Sequence, residues 1–166
     1  MADFATVADA IKTELDSASE DNEFNRQFTS RVLWGNRQLQ LDVADTLMVD
    51  VLPIDLSRWL LNRGTHIVLM NYHVGIRKRF VESEQDGSGQ ISDDEVEELA
   101  ILTDDIAKFF MPKQPNATGH PLTSIQDATI LGPRGEQSIE TIIRWEDLEN
   151  LRQFTGYFQL TVQVSE

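Results

Sequence analysis

Between residues 65 and 80, Val68, Met70, Tyr72, Val74 and Ile76 alternate with Ile67, Leu69, Asn71, His73 and Gly75. A period of two sustained over that length demands a β-strand, so any fold this chain adopts must house one unusually long strand. The first set is expected to face the core. The alternate set begins apolar and turns polar, which predicts cover on both sides at the start of the strand and contact with solvent or a partner at its end. A long strand that outruns a small core reads as a hairpin arm or an assembly edge. It closes with Arg77, Lys78 and Arg79, a basic run suited to pairing with acids of a neighbouring subunit.

Two helices flank this strand in sequence. Phe4, Val7, Ala8, Ile11 and Leu15 form one apolar stripe at helical spacing and predict a helix over 3–17. Val96, Leu99, Ala100, Thr103, Ile106, Ala107 and Phe110 predict the strongest helix. Ser92 stands at its N-cap, Asp93, Asp94 and Glu95 in its first turn, and Pro112 beyond its end. Residues 28–34 read as a first strand before a Gly35-Asn36 turn, and 48–52 as a short second strand closed by Pro53. Residues 138–145 read as a strand leading into a polar connection over 146–153. Phe154, Phe158, Leu160, Val162 and Val164 alternate with polar neighbours in a half-buried final strand. Four of the five prolines fall between 112 and 133, which reads as a long irregular loop.

The expectation is a single α+β domain over 1–166: a mostly antiparallel sheet of about four to five strands, with two main helices packed on one face. An acidic loop at 82–93 and a Pro/Gly-rich loop at 112–137 interrupt it. A length of 166 residues suits one core.

Charge narrows the function. Fourteen bases against 28 acids leave a net charge of −14, which opposes tight, phosphate-driven nucleic-acid binding. Residues 81–107 hold ten acids and no Lys or Arg, so most of the excess is local. Glu97, Glu98, Asp104 and Asp105 are therefore the candidate acidic face, lining a channel or docking a basic partner. The chain has no cysteine, which removes thiol catalysis, disulfides and cysteine-ligated metal sites. No apolar run approaches the length of a membrane span, and the N-terminus lacks signal-peptide character, so no membrane partner is expected.

Residues 84–95 resemble the twelve-residue calcium loop of EF-hand proteins. Asp86, Ser88 and Ser92 would supply side-chain oxygens, Gly89 the sharp turn and Glu95 a bidentate carboxylate. Glu84 stands where Asp is usual, and a strand precedes the loop instead of a helix. The competing reading is a strand-to-helix connection whose acids cap the helix, and no cofactor is then needed. Catalytic signatures are weak. His66, His73 and His120 are scattered, with no HExxH pair, GxSxG elbow or phosphate-binding loop, so the chain reads as a non-enzyme. Trp34, Trp59 and Trp145 are too dispersed for a base-stacking platform and read as core or interface anchors.

Taken together, the N-terminal amphipathic helix, the strand 47–53, Ser57-Arg58, the long strand ending Val74-Gly75-Ile76-Arg77-Lys78-Arg79, the acidic helix 94–110 and the closing stretch 148–162 resemble the tail terminator or tail-completion proteins of long-tailed bacteriophages. The resemblance covers most of the chain through pattern. It implies a homo-oligomeric ring, commonly a hexamer, made in the host cytoplasm and built into the virion. Such a ring caps the tail tube, joins it to the head-side neck or stopper protein, and lets DNA pass without tight binding. A neck or head-completion adaptor is the sister reading within the same machine. A calcium-binding EF-hand-like module is the reading from another class.

Overall fold

The computed structural model describes residues 3–34, 47–80, 91–111, 119–133 and 138–165. Its elements are α1 (Phe4–Glu20), β1 (Thr29–Val32), β2 (Met48–Asn62), β3 (Thr65–Arg79), α2 (Asp93–Phe109), β4 (His120–Pro121), β5 (Ala128–Leu131), β6 (Ile142–Ile143), α3 (Trp145–Leu151) and β7 (Gln153–Ser165).

The long strand organises the molecule. β3 pairs antiparallel with β2 on one side and with β7 on the other, from Ile67↔Ser165 to Arg79↔Gln153. The register sets Val68, Met70, Tyr72 and Val74 opposite Val164, Val162, Leu160 and Phe158, which puts the buried rows of both strands on one face. Val7, Ala8, Ile11 and Leu15 of α1, and Leu99, Leu102 and Ile106 of α2, close over that face in one hydrophobic cluster. Asp3 starts α1 by accepting the Thr6 N–H at 2.7 Å, and the Tyr72 hydroxyl donates to the Phe4 carbonyl at 3.0 Å, tying that helix to the centre of the sheet.

The sheet corrects the expected architecture. Among the described residues it has seven strands in a curled half-barrel, and a third helix stands beside the expected two. The path runs β1-β2-β3-β7-β5-β4, with β6 also on β7. It is mixed, because β1 runs parallel to β2 (Thr29↔Met48 to Val32↔Val51). Three local causes explain the difference. Pro53 does not end β2, which continues to Asn62. Beyond Val51, β2 is an edge strand among the described residues, and an edge tolerates proline, here beside a bulge between Pro53 and Asp55. The stretch read as an irregular loop over 112–137 holds β4 and β5, which are too short to show periodicity. The strand read at 138–145 shrinks to two residues, and the polar connection after it is α3. That helix begins at Arg144 without a side-chain cap and ends at Arg152, left-handed at φ 51°, so the usual start and stop residues are missing.

The exposure along β3 is also the reverse of that expected. The β2–β3 hairpin projects from the core at the beginning of β3, where residues 57–66 are almost all exposed. The far end, at Arg77 and Lys78, is half-buried.

Candidate assembly surfaces

The tip of the β2–β3 hairpin is the most conspicuous surface. Trp59, Leu60 and Leu61 are between 45 and 66% exposed. Trp59 lies opposite Ile67 and Leu60 opposite His66, so successive apolar side chains face opposite sides of the ribbon. Gly64 makes the turn at φ 117°, a conformation a side chain would strain. Arg58 and Arg63 flank the apolar trio, and residues 56–66 contain no acid. β1 covers β2 only as far as Val51, with one further bond from the Leu33 N–H to the Val51 carbonyl. Beyond that point the outer edge of β2 has no strand partner among the described residues.

A second apolar surface lies at the opposite end of the sheet. Ile142, Trp145 and Leu151 are between 46 and 58% exposed, while Leu148 packs inward against the core. Glu146, Asp147 and Glu149 interrupt the patch, and residues 145–151 contain no base. Trp34, edge-on to Phe4 at 6.0 Å, is the third tryptophan and is also exposed. All three tryptophans therefore lie outside the core, which leaves the interface-anchor half of their expected role.

Across the polar face of the sheet runs a charged and hydrogen-bonded layer. Asp50 accepts from Arg31 Nε at 2.6 Å on one oxygen and from Arg77 Nε and Nη2 at 3.2 and 2.9 Å on the other. Thr161 donates to Asn71, and Asn71 Nδ2 donates to Asp55 at 2.6 Å. His73 stacks on Tyr157 with ring centroids 5.3 Å apart, and burial pulls its pKa below the ordinary value against the opposing pull of Asp55. An open pocket of about 550 Å³ lies here, lined by Asp50, Leu52, His73, Arg77, Arg144 and Tyr157 among others. Both Asp50 oxygens are taken by guanidinium donors, which removes that carboxylate as a free base.

The expected basic run is divided by the alternation of β3. Arg77 turns to Asp50, Lys78 turns to the other face and donates to Glu95 Oε1 at 2.8 Å, and Arg79 is exposed. Glu95 also accepts from Arg26 Nη1 at 2.7 Å. Burial would raise its pKa, but the hydrogen bonds from Lys78 and Arg26 outweigh that and hold the carboxyl below the usual range. The carboxylate that would close a calcium loop is thus committed to two cations. Ser92 is exposed at the start of α2 with no side-chain cap bond, and Asp86 and Ser88 lie outside the described residues. Among the described residues no group of three or more His, Asp or Glu is placed to hold a metal ion. No helix among them is long and apolar enough to cross a membrane.

The acidic face is divided as well. Glu97 and Glu98 are exposed on α2, away from Val96, Leu99 and Ile106. Asp104 pairs with Lys108 and accepts from Thr141, and Asp105 lies 3.8 Å from Lys108. Glu98 lies 3.9 Å from Arg26 Nη1, whereas Glu97, Asp93 and Asp94 have no ion-pair partner among the described residues. The hairpin-tip trio is the feature that sequence reasoning missed. Its signal was present, three adjacent apolar residues between two arginines, but the assumption that Pro53 ends the strand hid it.

A scan against protein-family models and a search of curated proteins both found no match to this chain.

Proposed function

We propose that the chain is a structural, non-enzymatic virion protein that closes into a homo-oligomeric ring, most simply the terminator ring capping the tail tube of a long-tailed bacteriophage. The observation that carries this reading is the projecting β2–β3 hairpin, with Trp59, Leu60 and Leu61 in solvent at its tip. Three adjacent exposed apolar residues at a projecting tip are the kind of surface that an assembly interface covers. The sequence pattern shared with tail terminators supports the ring, with six subunits the common number, and supplies the neighbours: tail tube protein below and neck or stopper protein above.

The acidic outer face of α2 fits a ring through which DNA passes. Glu97 and Glu98 would repel phosphates instead of holding them. Purified protein added to polymerising tail tube protein tests the function directly. Tubes that stop lengthening and carry a ring at one end support the terminator. A ring that leaves tube growth unaltered but binds the head-side neck supports the adaptor reading.

A further inference from the structure

The two exposed apolar surfaces are complementary, and one chain cannot bring them together. The hairpin tip is apolar and basic: Trp59, Leu60 and Leu61 lie between Arg58 and Arg63, in an eleven-residue stretch without an acid. The α3 patch is apolar and acidic: Trp145 and Leu151 lie beside Glu146 and Glu149, in a seven-residue stretch without a base. In a chain of net charge −14, the stretch from Leu56 to His66 has two arginines and no acid, so the tip is the natural partner for acidic surface elsewhere. Yet Thr65 at the tip and Arg79, whose partner Gln153 follows α3, mark the two ends of a fifteen-residue strand. At ~3.3 Å per residue that strand holds them about 46 Å apart.

We infer that the hairpin tip of one copy docks on the α3 patch of the next copy, apolar side chains of the tip against Trp145 and Leu151, with Arg58 and Arg63 facing Glu146 and Glu149. The contact joins two different surfaces, so it propagates head to tail and either closes as a ring or runs on as a filament. This rests on the ring reading and adds to it the two faces that meet.

The absence of cysteine makes the test clean. Leu61→Cys and Leu151→Cys are introduced singly and together in the full chain, and each protein is treated with a short bismaleimide. The double variant is expected to give a ladder of covalent multimers on a denaturing gel, and each single variant to stay at monomer mass. Dimers of the Leu61→Cys protein alone would show a tip-to-tip contact and overturn the inference. So would a double variant that stays monomeric on the gel while the unmodified protein is oligomeric in solution.

A second measurement does not depend on crosslinking. R58E/R63E should weaken self-association by at least about tenfold, and adding E146K/E149K to it should restore most of the loss. Assembly of R58E/R63E at wild-type strength overturns the contact. Binding of the wild-type chain to phosphatidylglycerol vesicles, lost in R58E/R63E, would assign the tip to lipid and also overturn it. A wild-type protein that is monomeric throughout sinks the ring reading itself, which separates that failure from a misassigned contact.

Discussion

Arg77 and Asp50 are joined by two hydrogen bonds, Nε and Nη2 of the guanidinium each donating to the same carboxylate oxygen at 3.2 and 2.9 Å. Arg31 holds the other oxygen at 2.6 Å, so one carboxylate, only 7% exposed, stitches three adjacent strands together. A residue whose sequence context pointed to a neighbouring subunit is thereby engaged within its own chain. Asp50→Ala removes the anion that two half-buried guanidinium groups share, and the fold should lose about 3 kcal/mol in chemical denaturation. Arg31→Ala, which leaves Asp50 still held by Arg77, should cost less.

Glu95 predicts an acid-sensitive contribution to stability. Its folded pKa lies below the ordinary value, so the unfolded state binds the proton first as pH falls. The stabilisation from Lys78 and Arg26 is full above the ordinary carboxyl pKa and is lost as pH drops through the lower, folded one. Melting temperatures from pH 7 to pH 3 should fall more steeply for the wild type than for Glu95→Gln, which starts lower.

The same pairing bears on calcium. With Glu95 committed to two cations, melting in excess calcium and in excess chelator should coincide. A calcium-dependent rise in melting temperature that disappears in Glu95→Gln would restore the calcium-module reading.

Gly75 should not tolerate alanine. A Cβ there would lie 2.4 Å from the Gly156 carbonyl oxygen and 2.6 Å from the Tyr157 Cβ, neither of which is a flexible side-chain end. Gly75→Ala is expected to destabilise by about 1–3 kcal/mol, read by denaturant midpoint, while the exposed Ser57→Ala stays close to wild type.

Glu97 and Glu98 test the channel assignment. Reversing both to Lys leaves the buried side of α2 untouched, so assembly should persist while DNA passage through completed particles slows. Ejection kinetics identical to wild type would remove this face from the channel.

How much of this was legible in the sequence follows from the length of each signal. β3, with alternation over fifteen residues, and α1 and α2, with three or more turns of stripe, emerge at nearly their predicted bounds. β4, β5 and β6 have two to four residues each and α3 has two turns without the usual cap residues, so neither periodicity nor punctuation marks them. The second half of β2 was hidden for a different reason. Pro53 reads as a terminator only where both strand edges are paired, and sequence does not show that the pairing of β1 with β2 stops at Val51. The candidate surfaces divide in the same way. Local charge along α2 was visible, whereas the union of Arg31, Asp50 and Arg77, or of Arg26, Lys78 and Glu95, requires the sheet register and the seat of α2.

Closure of this chain into a ring, as proposed above, would fix its mass in solution. Sedimentation or light scattering across a hundredfold dilution should give one species at a fixed multiple of the 18.9 kDa chain, six by resemblance to tail terminators. A mass of one chain at every concentration would rule out the ring.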